Sequence, residues 1–142
     1  GWTLPVVPGT QYVTVGGALA GDIHGKNHSK AGCFSECVRE FEILLGNGEV
    51  VSASRSLNRD LFQSTCAGMG LTGIIQKITI QLQAINSSQI LETRTTTKNL
   101  EETLELFHFA DGYEYQVAWI DSEARGPCVG RAVVIMGTKP DG

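Results

Sequence analysis

The fold is decided by the stretch Thr14-Val15-Gly16-Gly17-Ala18-Leu19-Ala20-Gly21-Asp22-Ile23-His24-Gly25-Lys26-Asn27-His28. It places four glycines, two histidines, a lysine and an aspartate within fifteen residues. Glycine loses more backbone freedom on folding than other residues, so this density marks left-handed backbone or close approach to another group. We predict that a strand over residues 12–15 leads into a glycine loop whose backbone N–H groups can hold a pyrophosphate. His24 and Lys26 would then lie beside an anionic cofactor.

Composition sets the broad class of the chain. Its 142 residues, 42% apolar and 18% charged, are typical of a folded domain with a hydrophobic core. A net charge of -4 argues against a general nucleic-acid binder. The sequence contains no apolar run near the roughly 18 residues that a membrane helix needs. Both ends lie in strand-like segments, so we expect a fragment of a longer protein, located in the cytoplasm or at a membrane surface.

The first half of the sequence predicts a hairpin, a short helix and a strand. Residues 33–54 show strand alternation around the turn Gly46-Asn47-Gly48. Asn58 is expected to cap a helix over residues 59–67. A second glycine cluster, residues 68–73, then precedes a strand predicted over residues 77–84.

The second half predicts a β-α-β-β unit. A polar strand over residues 90–97 precedes Asn99, an expected N-cap with Glu102 at the third helical position. Leu100, Leu104 and Phe107 follow at helical spacing, and residues 113–120 and 131–136 are strand candidates. We therefore predict an α+β fold with a mixed or antiparallel sheet and short flanking helices. The predicted domains are residues 1–87 and 88–142.

Several alternatives remain open at this level. The two glycine clusters can converge on one extended ligand, or they can be turns in a non-catalytic binding or structural module. The usual dinucleotide fingerprint, with its spaced glycines and distant acidic residue, is absent. His24 and His28, with Cys33 and Cys37, form a conceivable zinc cluster, although Gly25 disfavours a regular helix between the histidines. Because no common zinc spacing is present, we expect no metal.

Five motifs together resemble FAD-linked oxidases of the vanillyl-alcohol oxidase type, and most of all the decaprenylphosphoryl-β-D-ribose oxidase group. The motifs are Pro8-Gly9-Thr10, Thr14-Val15-Gly16-Gly17, Asp22-Ile23-His24-Gly25-Lys26-Asn27-His28, Gly68-Met69-Gly70-Leu71-Thr72-Gly73-Ile74-Ile75 and Val117-Ala118-Trp119-Ile120-Asp121. The resemblance implies that the chain is the second FAD-binding subdomain and the start of a substrate domain. It also implies that the first FAD subdomain of the parent protein would precede Gly1.

The resemblance also implies site residues and an activity. His24 and Lys26 would face the substrate side of the flavin as catalytic residues, and Ile74 or Ile75 would offer backbone atoms to the adenine end. The implied activity is oxidation of a sugar hydroxyl, on a small-molecule or lipid-linked sugar, by hydride transfer to FAD; the parent protein would work at a membrane surface. The residues expected to bind FAD are Gly9, Thr14, Val15, Gly16, Gly17, Gly21, Asp22, Ile23, His24, Ile74 and Ile75.

Overall fold

The computed structural model describes residues 1–140, which divide into two units. One unit is Trp2–Ala84; the other begins at Ile85 and includes Gly1. Both contain antiparallel strands with short helices, which confirms the predicted α+β class. Over the described residues, no helix is long and apolar enough to cross a membrane.

The first unit is built on a three-stranded sheet with a small second sheet. The larger sheet has the order β3-β2-β4, and β1 pairs with β5 in the smaller one. Its strands are β1 (Trp2–Thr3), β2 (Val38–Leu44), β3 (Val50–Ser54), β4 (Ile74–Ile80) and β5 (Gln83–Ala84). Its helices are α1 (Val15–Ala20), α2 (His28–Ala31) and α3 (Arg59–Thr65), with a 3₁₀ turn over Phe34–Cys37.

Period-two alternation in β2 sets the core of the first unit. Phe41 and Ile43 point inward and are almost fully buried, while Glu40 lies on the other face of the sheet. The Phe41 ring stacks on that of Phe62 from α3, with centroids 5.4 Å apart. Leu19 of α1 is also fully buried in this cluster. The sheet, α1 and α3 therefore share one apolar core.

The strand predicted before α1 is wrong, whereas Asn58 is the N-cap of α3 as predicted but makes no side-chain capping bond. Residues 12–14 form no strand, because Thr14 is already the N-cap of α1 and Val15 is helical. Asn58 does not cap α3 through its side chain. It adopts left-handed backbone (φ 49°), and its amide donates to the carbonyl of Ser52. Asparagine tolerates that conformation, and its amide finds a backbone partner there instead.

The boundaries of two strands also differ from the prediction. The hairpin begins at Val38, because Phe34–Cys37 forms a 3₁₀ turn. The strand predicted over residues 77–84 is two elements, since β4 pairs with β2 whereas β5 pairs with β1. Alternation continues through both pieces, so periodicity alone does not reveal that the pairing partner changes.

The second unit contains a three-stranded antiparallel sheet, order β6-β8-β7, and one helix. Asn99 caps that helix as predicted, with its side-chain oxygen accepting the N–H of Glu102. Thr97 and Thr103 are buried and share a hydrogen bond of 2.6 Å between their hydroxyls. The elements are β6 (Leu91–Thr97), α4 (Leu100–Phe109), β7 (Tyr115–Ile120) and β8 (Ala132–Thr138).

The predicted apolar face of α4 is partly wrong. Leu100 and Leu104 are 45% and 59% exposed. Leu106 and Phe107 pack against the buried residues of this unit instead. The inward face therefore centres on Thr103, a polar residue whose hydroxyl lies 2.9 Å from the backbone carbonyls of both Asn99 and Gly130, either of which can accept its single proton.

We expect Phe41→Ala to lower the free energy of unfolding of the first unit by about 3–5 kcal/mol, because it removes a buried ring and leaves a cavity against Phe62. Urea unfolding followed by circular dichroism measures the change. Phe109→Ala is the matched control: that ring is 80% exposed, so its removal should cost within about 0.5 kcal/mol. Equal effects of the two substitutions would contradict the assignment of Phe41 to the core.

Candidate cofactor site

The first glycine pair lies in the opening turn of α1. The Thr14 hydroxyl oxygen accepts the N–H of Gly17 at 3.0 Å, which fixes the start of the helix. A Cβ at Gly17 would lie 3.0 Å from that same oxygen, whereas a Cβ at Gly16 would meet no protein atom within 4 Å. The fold therefore leaves open space directly outside Gly16.

The second glycine cluster is hydrogen-bonded to the other end of α1. The N–H of Ala67 donates to the carbonyl of Leu19 at 3.2 Å, and the N–H of Met69 donates to that of Ala20 at 2.9 Å. Ala67 and Met69 both adopt positive φ, 59° and 52°, to reach these carbonyls. The second glycine cluster therefore lies beside the C-terminal end of α1, and its convergence with the first cluster on one ligand stays a hypothesis.

Helix α1 and strand β4 enclose a shallow depression. It has a volume of about 160 Å³ and is lined by Val15, Gly16 and residues 75–78. Within its sheet, β4 is an edge strand bonded only to β2. Alternate N–H and C=O groups along an edge strand point away from its sheet; the backbone role of Ile74 or Ile75 stays a prediction.

The turn after α1 is held by its own side chains. Asp22 has positive φ (39°), and its carboxylate accepts the Ser35 N–H at 2.8 Å and the Ser35 hydroxyl at 3.0 Å. The carbonyl of Ile23 accepts the N–H of Phe34, and the Ile23 side chain packs against the core. Gly21 ends the helix, and its N–H donates to the carbonyl of Gly17. These contacts anchor the path of the chain towards His24.

The two predicted catalytic residues lie on an exposed turn. His24 forms an isolated antiparallel bridge with Cys33, so its backbone is fixed while its side chain is exposed. Its ring meets that of His28 edge-on, with centroids 5.2 Å apart. Lys26, two residues on, is also exposed. The structure therefore presents an imidazole and a cation from one short segment.

Sequence reasoning missed the residue that packs beneath this turn. Asn27 is only 3% exposed, and its side-chain N–H donates to the carbonyl of Pro5 at 2.9 Å. A Cβ on Gly25 would lie 2.8 Å from both the Asn27 side-chain oxygen and the carbonyl of Val7. The sequence offered only an asparagine between a lysine and a histidine, a position that is usually solvated.

Two other sequence-level expectations have different outcomes. Gly9 is exposed, with no protein atom within 4 Å of a Cβ, and it is not among the residues that line the depression. The zinc cluster considered from sequence has no counterpart: across residues 1–140, no three His, Cys, Asp or Glu side chains come together to hold a metal ion.

Burial raises the pKa of the Cys66 thiol to about 11, so this thiol is protonated at neutral pH.

Comparison with known families identifies the cofactor class. Residues 1–54 match the family model of the FAD binding domain, which covers α1, the His24 turn and the β2–β3 hairpin. Residues 1–54 therefore carry the FAD binding domain match, and the resemblance and the FAD cofactor predicted from sequence are confirmed.

Several curated relatives extend over more of the chain. Decaprenylphosphoryl-β-D-ribose oxidase of Mycolicibacterium smegmatis is 43% identical over 97% of this chain and 31% of its own length. Delta(24)-sterol reductase of Rattus norvegicus is 28% identical over 82% of the chain and 24% of the relative. Cytokinin dehydrogenase 3 of Arabidopsis thaliana is 37% identical over 51% and 14%. The chain thus spans at most 31% of the length of these three relatives.

We expect Gly25→Ala to destabilise the first unit by about 1–3 kcal/mol, because the added methyl conflicts with the backbone of Val7 as well as with Asn27. Thermal unfolding of the 142-residue chain measures the loss. Gly46→Ala is the control, since a Cβ there meets nothing within 4 Å, and it should change stability by less than about 0.5 kcal/mol. An unchanged melting temperature for Gly25→Ala would mean that this turn is not tightly packed.

Proposed function

We propose that this chain forms one side of the FAD site of a longer oxidoreductase, which oxidises a sugar hydroxyl by hydride transfer to the flavin. The observation that carries the proposal is the position of both glycine clusters at α1, beside the exposed edge of β4. Such a site binds its ligand through backbone groups and small residues rather than through an apolar cavity. Its volume of about 160 Å³ is below the roughly 300–1,000 Å³ of complete ligand pockets, so further segments would have to complete a site for FAD here.

The residues at the depression fit an anionic cofactor. Gly16 leaves room for close approach, and no carboxylate belongs to the residues that line it. Lys77 lines it too, although its ammonium group is paired with Glu42 at 2.9 Å. We propose that residues 14–17, 21–24 and the edge of β4 at Ile74 or Ile75 hold the cofactor, with Gly9 as a further contact.

His24 and Lys26 are the proposed catalytic residues. When bound, FAD supplies a ring system that accepts a hydride, and negative charge develops on it. A fixed cation at Lys26 and an imidazole at His24 stabilise such charge, because both side chains are carried on an immobilised backbone. Asp22 contributes differently: its carboxylate is occupied by Ser35, so it offers backbone atoms rather than side-chain oxygens to a ligand.

The proposed substrate is a polyprenylphosphoryl-ribose-like lipid-linked sugar or a sugar-lactone-like molecule. Support comes from the relative named for decaprenylphosphoryl-β-D-ribose, whose identity of 43% exceeds the 28% of the sterol reductase. A lipid-linked substrate would bring the whole protein to a membrane surface. We assign residues 1–87 to the FAD-binding part and residues 88–142 to the beginning of the substrate domain.

In the longer flavoprotein, Gly16→Leu should reduce FAD content about tenfold or more, since a steric conflict of about 1.4 kcal/mol already lowers affinity by that factor. The FAD-to-protein ratio measured by absorbance tests this. The fold should tolerate the change, because the leucine projects into open space. Gly46→Leu, also in open space but in the β2–β3 turn, is the control and should retain full FAD. Normal FAD content in Gly16→Leu would mean that the cofactor does not bind at this depression.

In the same flavoprotein, His24→Ala should slow flavin reduction by a sugar substrate by about 10²-fold while FAD content changes little, because one contact near developing charge is lost. Stopped-flow absorbance measures reduction. His28→Ala is the control: it removes the neighbouring ring but not the proposed catalytic group, so its effect should be smaller. Equal effects of both, together with inactivation of the wild type by a chelator, would instead favour a metal site. A loss of thermal stability alone would favour a structural role.

A further inference from the structure

We propose that Asn27 is a positioning residue, which fixes the turn His24-Gly25-Lys26 by tying it to the segment Pro5–Val7. The role of His24 and Lys26 in this inference rests on the proposed function. The anchoring itself does not, because it follows from the packing of the first unit. Asn27 belongs to none of the positions that the sequence assigned to cofactor or substrate.

Burial and bonding single out this side chain. Asn27 is 3% exposed although it lies between the exposed residues Lys26 and His28. Its side-chain N–H donates to the carbonyl of Pro5, 22 residues earlier, at 2.9 Å. The next residue in that segment, Val6, is fully buried. The amide therefore connects the turn to a part of the chain that is itself held in place, and a buried amide needs such a partner.

Helix capping does not account for an asparagine here. Asn27 is the N-cap of α2, yet its side chain makes no capping hydrogen bond. Only its backbone carbonyl serves the helix, accepting the N–H groups of Lys30 and Ala31. Any residue type supplies that carbonyl. The side chain instead bonds the carbonyl of Pro5, at a position where an asparagine oxygen commonly caps the helix.

The anchor acts on a turn that is already fixed at its other end. His24 is bridged to Cys33, and Gly25 packs where a Cβ would lie 2.8 Å from the carbonyl of Val7. The Gly25 carbonyl accepts the N–H of His28 at 3.3 Å. With Asn27 in place, both ends of a three-residue turn are immobilised, and its two exposed side chains project from one defined backbone. Without the Asn27 side chain, the turn loses its bond to Pro5 and keeps the His24 bridge and the backbone contacts of Gly25.

The first test uses the 142-residue chain and needs no cofactor. Amide hydrogen exchange by NMR should be about tenfold or more faster at residues 25–28 in Asn27→Ala, since loss of the anchor lets this segment open locally. Asn58→Ala is the matched control: it removes the same kind of bond, a side-chain amide donating to a backbone carbonyl at 2.9 Å, at α3. It should leave exchange at residues 25–28 unchanged.

Two further variants separate anchoring from capping and from folding. Asn27→Ser keeps a good N-cap but cannot reach Pro5, so it should behave like Asn27→Ala. Asn27→Asp keeps the shape but loses the donor, and serves if the alanine variant does not fold. Wild-type exchange in the serine or the aspartate variant would overturn the proposal, because the bond to Pro5 would then be dispensable.

The second test, in the longer flavoprotein, asks whether Asn27 acts through the turn. Asn27→Ser should slow flavin reduction with FAD content retained, and should have no further effect in a His24→Ala, Lys26→Ala background. An undiminished further effect there would overturn the positioning role. If His24→Ala itself leaves reduction unchanged, the proposed function fails, while the exchange experiment still decides whether Asn27 anchors the turn.

Discussion

The carbonyl groups at the end of α1 are the constraint on which the first unit depends. A helix leaves its last carbonyls without intrahelical partners. Here the carbonyls of Leu19 and Ala20 accept hydrogen bonds from the N–H groups of Ala67 and Met69, in a segment nearly fifty residues away. These hydrogen bonds hold the second glycine cluster beside the end of α1, and β4, which follows that cluster, lies beside the start of the helix. The left-handed backbone of the donor residues is the conformational cost of reaching these carbonyls.

The proposed site follows from this arrangement because backbone, rather than large side chains, forms its surface. Gly16 leaves space at one end of α1, and the edge of β4 exposes backbone N–H and C=O groups nearby. Beyond the other end of the helix, the Asp22 carboxylate accepts the N–H of Ser35, and the Asn27 side-chain amide donates to the carbonyl of Pro5. Such bonds hold a turn in one conformation, as a site that stabilises developing charge requires.

Local signals predicted the elements whose interactions are themselves local. The alternation at Phe41 and Ile43 identified a half-buried strand, and Asn99 identified a helix start because its partner is three residues away. Prediction failed where a distant partner decides. The Asn58 side chain bonds the carbonyl of Ser52 rather than an N–H of its own helix, and the inward face of α4 is set by the sheet beneath it. In the same way, the family and its cofactor followed from motifs, whereas the burial of Asn27 depends on Pro5, 22 residues earlier, and was not predicted.

The sequence by itself determined the residue chemistry: glycines where a backbone must be approached, an imidazole and an ammonium group on one short segment, and an FAD-binding family. Only the tertiary structure decided which of these groups meet. Val15 and Gly16 line one depression with residues 75–78 because α1 packs against β4. Asn27 is buried, while its neighbours are exposed, because Pro5 lies within hydrogen-bond distance. Burial depends on contacts between residues far apart in the chain, and no local pattern encodes them.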